Sequence, residues 1–256
     1  MFADEMKDIY THILKSKKEG KKLFAILIDP DKQNNERLST IINKANKNKV
    51  DFFFVGGSLL TNDSLNSCIS NIKENSNIPV VLFPGNAMQV HNKADGILFL
   101  SLISGRNAEM LIGKQVITAP ILKKSSLEVL STGYMLIESG KSTTASYMST
   151  TTPIPHDKND VAVCTAIAGE MLGLKLIFMD GGSGAINTVT EEMIKSVSEQ
   201  IECPLIIGGG INTSEKALEK LKAGADVIVV GNAIENNTDL ITEISIKIKN
   251  TEWNAQ

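Results

Sequence analysis

Eight short apolar runs, each rich in Ile, Val, Leu or Phe, limit most strongly what this chain can fold into. They cover residues 23–28, 52–55, 80–83, 97–100, 134–137, 176–179, 205–207 and 227–230. Their hydrophobicity is nearly uninterrupted instead of alternating, which is how strands read when both faces are covered, as in an all-parallel sheet. Amphipathic stretches at residues 35–47, 63–74, 190–199 and 214–223 lie between several of them, with apolar residues at helical spacing. Thr213 or Ser214 can cap the last stretch, and Gly224 can close it. Strand followed by helix, repeated over 256 residues, predicts an α/β fold of the (β/α)8 TIM-barrel type, with a doubly wound open sheet as the alternative. A chain of this length buries roughly 70–75% of the surface its unfolded form exposes, so one domain spanning residues 1–256 is expected.

The strand and helix period breaks twice. Residues 84–96, PGNAMQVHNKADG, are too short and polar for a good helix, so the third outer helix is predicted to be missing or replaced. Residues 138–160 are rich in Ser and Thr with two prolines and read as a long loop after the fifth strand, on the face where barrels keep their chemistry.

Composition excludes several classes. With 26 basic against 29 acidic side chains, the net charge of -3 offers no cationic field for nucleic acid. Cys68, Cys164 and Cys203 show neither a disulfide framework nor zinc-ligand spacing, which points to a reducing cytoplasm. No signal peptide or membrane-spanning run is read in the sequence.

Glycine-rich stretches follow the last three predicted strands: Asp180-Gly181-Gly182-Ser183-Gly184, Gly208-Gly209-Gly210 and Gly231-Asn232. Glycine lets main-chain amides approach an anion closely, and barrels commonly bind phosphate at this position. A phosphate ester is the predicted ligand; one such loop alone would be an ordinary tight turn. After the first two strands come Asp29-Pro30-Asp31-Lys32 and Gly56-Gly57-Ser58. Asp29 and Ser58 are candidate Mg²⁺ ligands, because this small hard ion accepts a carboxylate and a hydroxyl and fills its shell with water and phosphate oxygens. The alternative is that Asp29 and Asp31 only cap the following turn.

Weaker signals are set aside. The string Gly140-Lys141-Ser142-Thr143 looks like the end of a P-loop, but the first glycine would fall at Met135, so an ATPase is rejected. His12, His91 and His156 share no ligand spacing. Cys164 and Met171 read as core, residues 15–22 as a solvated lysine-rich face, and Trp253 as a subunit anchor or part of a frayed end.

Taken together, LIDPDK at 27–32, FVGGS at 54–58, VLFPGN at 81–86, FMDGGSGA at 178–185, IIGGGI at 206–211 and VVGNAIE at 229–235 resemble the geranylgeranylglyceryl phosphate synthase family, in its second major group. The resemblance implies a Mg²⁺-dependent prenyltransferase of ether-lipid biosynthesis. It would join the 3-hydroxyl of sn-glycerol 1-phosphate to C1 of geranylgeranyl diphosphate and release diphosphate. It also implies that Asp29 and Ser58 hold the metal. Phe178, Met179, Asp180, Gly181, Gly182, Ser183, Gly184, Gly209, Gly210, Gly231 and Asn232 would bind glycerol phosphate, with Asp180 as the base. A homo-oligomer, dimer or hexamer, is implied as well. The chain departs from the family's more usual YLEAGSGA, with Phe178 for Tyr and Asp180 for Glu. Phe83, Ile97 and Phe99 are expected along the prenyl groove, with the long loop closing over it. The competing readings are a heptaprenyl homologue, a phosphate-binding barrel isomerase or synthase, and a phosphate-ligand sensor.

Overall fold

A computed structural model describes residues 8–62, 64–86 and 89–253. Eight parallel strands close into a barrel in sequence order. They are β1 (Leu23–Ile28), β2 (Phe52–Val55), β3 (Val80–Leu82), β4 (Gly96–Leu102), β5 (Glu128–Leu136), β6 (Leu176–Asp180), β7 (Leu205–Gly208) and β8 (Val227–Val230). Closure is made by β8 against β1, with Leu23 opposite Val227 and Ile26 opposite Val230. All eight predicted strands are found, and the barrel replaces the open-sheet alternative.

Successive side chains of a strand point to opposite faces, so each apolar run is divided between two cores. Ala25, Phe54, Val81, Leu98, Tyr134, Phe178 and Val229 fill the barrel interior. Ile26, Phe53, Leu82, Ile97, Met135, Met179 and Ile228 pack outward against the helices. This demand on both faces explains why the runs show no alternation.

The α-helices of the described residues are α1 (Ile9–Lys18), α2 (Asn35–Asn48), α3 (Leu65–Asn75), α4 (Lys114–Leu122), α5 (Thr144–Ser149), α6 (Asn159–Met171), α7 (Glu191–Ser198), α8 (Ser214–Ala223), α9 (Asn232–Asn236) and α10 (Leu240–Asn250). Side chains cap several of these: Asn34 accepts from the Arg37 amide, Thr190 from Met193 and Thr213 from Lys216. Gly224 closes α8 as expected. The predicted start of the second helical stretch, Asp63, lies outside the described residues.

Helix α1 covers the end of the barrel where the strands begin. Ile9 and Ile13 join the interior core, and the Glu128 carboxylate accepts from the Ile9 and Tyr10 amides at 2.5 and 2.8 Å. The lysine-rich segment is not wholly a solvated face. Asp226, 2% exposed, pairs with Lys17 at 3.0 Å and Lys22 at 3.5 Å, because an anion buried at the strand ends needs compensation. Cys164 and Met171, expected in the core, are exposed. They stand on α6, whose inward positions are taken by Ala162 and Ala166. Trp253 folds back on its own chain, its Nε1–H donating to the Ile248 carbonyl at 3.0 Å.

Both breaks in the period are present. No helix occurs among the described residues of 83–95. Gln89 instead ties this segment down, accepting from the Gly85 amide and donating to the Gly57 carbonyl. The stretch 138–160 is more ordered than a loop: Ile137 and Ile154 form a parallel bridge, and Thr143 makes a capping box with Ser146 at the start of α5. No helix of the described residues is long and apolar enough to cross a membrane.

Candidate functional site

The strand C-terminal ends surround one cavity of about 670 Å³. On one side lie the loops after β6, β7 and β8. Asp180 closes β6, and its Oδ1 accepts from the Gly182 amide at 2.7 Å. Its Oδ2 accepts from the Tyr134 hydroxyl at 2.5 Å. Burial pushes the Asp180 carboxyl above the ordinary carboxylate range, while the hydrogen bonds from Tyr134 and Gly182 partly offset this. Burial, with the neighbouring carboxylate, also drives the Tyr134 phenol well above its usual value. Tyr134 is therefore the proton donor in the pair.

Gly209 adopts φ +84°, and a Cβ there would lie 2.7 Å from Asp180 Oδ1, so this turn requires glycine. The amides of Ser183, Gly184, Gly209 and Gly210 donate to no carbonyl among the described residues. Asn232 Nδ2 donates to Ser183 Oγ at 3.1 Å and joins the last loop to the first. The result is a ring of uncommitted main-chain donors above a buried carboxylate, suited to a phosphate ester with a nearby hydroxyl.

Asp29 and Ser58, after β1 and β2, line the adjoining arc, next to the loop after β8. Asp29 does cap the short turn Pro30–Lys32, accepting from the Asp31 amide at 3.2 Å, and its other oxygen pairs with Lys32 at 3.0 Å. Capping and facing the cavity are thus compatible. Asp31 turns away to hold Thr61, Asn62 and Ser64. Glu235, on α9, sits beside Asp29, accepts from Gln33 Nε2 at 3.1 Å and has its carboxyl raised mainly by burial. No cluster of three His, Cys, Asp or Glu able to hold a metal occurs among the described residues. A carboxylate and a hydroxyl of hard oxygen character do fit Mg²⁺, which binds through few protein groups and completes its shell with water and substrate phosphates.

Away from these two arcs the cavity becomes apolar. The Phe83 and Phe178 rings stack at 5.2 Å, and Tyr134 meets both edge-on. Beyond them Val90, Ile97, Phe99 and Thr118 line a groove. Ile97 and Phe99 belong to the outward-facing core, so the cavity runs over the rim and down the outside of β4. The third unit, lacking its helix, leaves that wall accessible. Thr144, Ala145 and Met148 of α5 close the top, and the expected groove residues Phe83, Ile97 and Phe99 all line the cavity.

The tertiary structure separates the sequence-selected residues. Phe178, Asp180, Gly182, Ser183, Gly184, Gly209, Gly210, Gly231 and Asn232 line the cavity together with Asp29 and Ser58. Met179 does not: one residue after inward-facing Phe178, its side chain must point to the outer core, where it is fully buried. Gly181 lies behind the lining, its amide committed to the Gly208 carbonyl. The residue that sequence reasoning missed is Tyr134. Its place near the end of the fifth strand and its inward parity with Leu136 were the available signals. Lys32 and Glu235 also line the mouth. The histidines stay apart: His91 meets Asn66 and His156 pairs with Glu138. Burial pushes the Cys68 and Cys203 thiols up to about 12, which leaves neither a nucleophile at neutral pH.

The PcrB family model matches residues 13–249. The chain is 54% identical over 237 residues to the geranylgeranylglyceryl phosphate synthase of Chitinophaga pinensis, covering 93% of this chain and 94% of that one. It is 53% identical over 233 residues to that of Spirosoma linguale, covering 91% and 94%. Among solved structures, (S)-3-O-geranylgeranylglyceryl phosphate synthase from Thermoplasma acidophilum, in complex with its substrate sn-glycerol-1-phosphate, superposes with a TM-score of 0.88 at 30% identity, covering 94% of this chain and 98% of that one. A tryptophan synthase α-subunit from Pyrococcus furiosus, at 10% identity and a TM-score of 0.56 over 91% and 97% of the two chains, shares the fold.

Proposed function

The chain belongs to the PcrB family of prenyltransferases, and from that premise we propose that it joins the 3-hydroxyl of sn-glycerol 1-phosphate to C1 of geranylgeranyl diphosphate. The observation that carries the reading is the single cavity with a buried carboxylate under an amide ring at one end and an apolar groove leading from the other. The uncommitted amides of Ser183, Gly184, Gly209 and Gly210 take the phosphate of the acceptor. Phosphate held there leaves the far hydroxyl of the glycerol to reach toward Asp180. Asp180 accepts the hydroxyl proton as the oxygen lone pair forms the new bond to C1, and the C1–O bond to diphosphate breaks with its electrons leaving on diphosphate. Tyr134 and the Gly182 amide fix the orientation of the carboxylate for this transfer.

Asp29 and Ser58 would hold Mg²⁺, whose chemistry is to neutralise charge on the departing diphosphate. Lys32 lies beside them and adds a second cation to that end. The twenty-carbon chain rests along Phe83, Ile97 and Phe99, where each buried CH₂ contributes about 0.8 kcal/mol. Exclusion of water by α5 and the aromatic cluster protects the developing positive charge at C1 from hydrolysis. Exposed Ile112, Val116, Ile117 and Ile121 around α4 support a homo-oligomer, which light scattering would measure.

Labelled sn-glycerol 1-phosphate, Mg²⁺ and farnesyl, geranylgeranyl or heptaprenyl diphosphate, incubated in turn with the protein, test the reading. A butanol-extractable product formed fastest with geranylgeranyl diphosphate is expected. A fastest rate with heptaprenyl diphosphate would reassign the donor, and no product with any donor would overturn the activity.

A further inference from the structure

Three carboxylates, Asp29, Asp180 and Glu235, line the cavity mouth where a phosphate dianion is to bind. Among the described lining residues the ammonium groups are Lys32, already paired with Asp29, and Lys114 on α4 beside the groove. The amide ring itself carries no formal charge. Lys32, and Mg²⁺ when bound, answer Asp29 and the donor diphosphate, so a dianion entering the amide ring gains from a further cation of its own.

Residues 140–143, set aside as a false P-loop, supply that cation. The Ser139 carbonyl accepts from the amides of Ile186 at 3.2 Å and Asn187 at 3.0 Å, which clamps this segment to the loop after β6. Thr143 packs on Gly182, where a Cβ would come within 2.8 Å of its Oγ1. Between these two anchors Lys141 reaches over Gly184, its Nζ 3.6 Å from where a Cβ on that glycine would stand. Lys141 is exposed and makes no ion pair among the described residues, so its charge is free for a ligand.

Resting on the function proposed above, we propose that Lys141 is a substrate-binding residue that donates a charge-assisted hydrogen bond to the phosphate of the acceptor. The amide ring sets position, and the lysine supplies the charge that the ring lacks.

Calorimetric titration with inorganic phosphate tests the assignment without prenyl transfer. Lys141→Ala should weaken phosphate binding roughly tenfold, Lys141→Arg should stay within about threefold, and the control Lys47→Ala on α2 should bind as the unaltered chain does. In turnover assays Lys141→Ala should raise KM for sn-glycerol 1-phosphate by the same factor, with a much smaller change in kcat and in KM for the prenyl donor. Equal phosphate affinity in Lys141→Ala and the unaltered chain would overturn the proposal, as would an equal loss in Lys47→Ala. If the unaltered chain binds phosphate but forms no ether, the transferase reading fails and calorimetry still decides Lys141. If it binds no phosphate, both fall.

Discussion

The Tyr134 hydroxyl donates to Asp180 Oδ2 at 2.5 Å across 46 positions of sequence, with both side chains buried at the cavity wall. The register of β5 against β6 sets Tyr134 opposite Phe178 and Leu136 opposite Asp180, so both partners face the interior and the long phenol spans the two-residue offset. The hydroxyl beside the Asp180 carboxylate thus comes from Tyr134 on β5, while residue 178 is a phenylalanine.

Removing that hydroxyl should act on Asp180, the proposed base. The hydrogen bond from Tyr134 is the larger of the two that favour ionised Asp180, so Tyr134→Phe leaves the carboxyl raised further. Because the base works only when ionised, the acid limb of the kcat profile should move to higher pH, and turnover near neutrality should fall roughly tenfold or more. A pH–rate profile measures both; an unmoved acid limb would separate Tyr134 from the base.

Asp180→Asn should lower turnover about 10²- to 10⁴-fold and leave the fold intact, since an amide can still accept from Gly182 and donate to Tyr134. Its stability should depend on pH in a definite sense. A carboxyl raised by burial favours the folded chain fully below its ordinary value, and that contribution is lost as pH rises through the raised value. Relative to the asparagine variant, the unaltered protein should therefore lose stability from acid toward neutral pH. Urea midpoints at several pH values report the difference.

Asp29→Asn keeps an acceptor for the Asp31 amide and removes the charge that faces the mouth. Heat of Mg²⁺ binding in the presence of diphosphate should vanish, and turnover should fall at least about a hundredfold. Normal Mg²⁺ binding would refute the metal assignment.

Phe99 forms part of the groove on the outside of β4 and is only partly buried. Phe99→Ala should widen the groove and raise the rate with heptaprenyl relative to geranylgeranyl diphosphate, while the protein loses roughly 1–3 kcal/mol of stability. Competition between the two donors gives the ratio directly.

At the opposite end of the barrel, Asp226 accepts from Lys17, Lys22 and the Leu205 amide. Asp226→Asn leaves two largely buried ammonium groups short of a counter-charge and should cost about 3 kcal/mol, read as a lower urea midpoint. Turnover per folded molecule should not change, because the pair lies at the strand starts.

The barrel and most of its mouth were legible in the sequence. Runs such as 52–55 and 227–230 must be covered on both faces, and such runs in series between helical stretches admit few arrangements. Gly182 and Gly209 could be singled out because glycine is the residue that takes up positive φ without strain. Met179 could not be separated from its neighbours by motif alone, because belonging to a motif does not say which way a side chain points. Residues 138–160 looked like a plain loop because α5 is only six residues long, fixed by the Thr143 cap and the Ile137–Ile154 bridge instead of by a long apolar face. Lys17 and Lys22 looked solvated because their partner, Asp226, is about two hundred positions away.

Local chemistry along the chain thus determined the eight strands, the glycine turns, and the carboxylate and hydroxyl candidates at the strand ends. Only closure of the barrel decided that Tyr134 meets Asp180, that Lys141 lies over Gly184, and that Met179 faces away. The reason is physical: strand and turn preferences act over a few residues, whereas each of these encounters depends on the pairing register of separate segments, which is settled when the whole barrel packs.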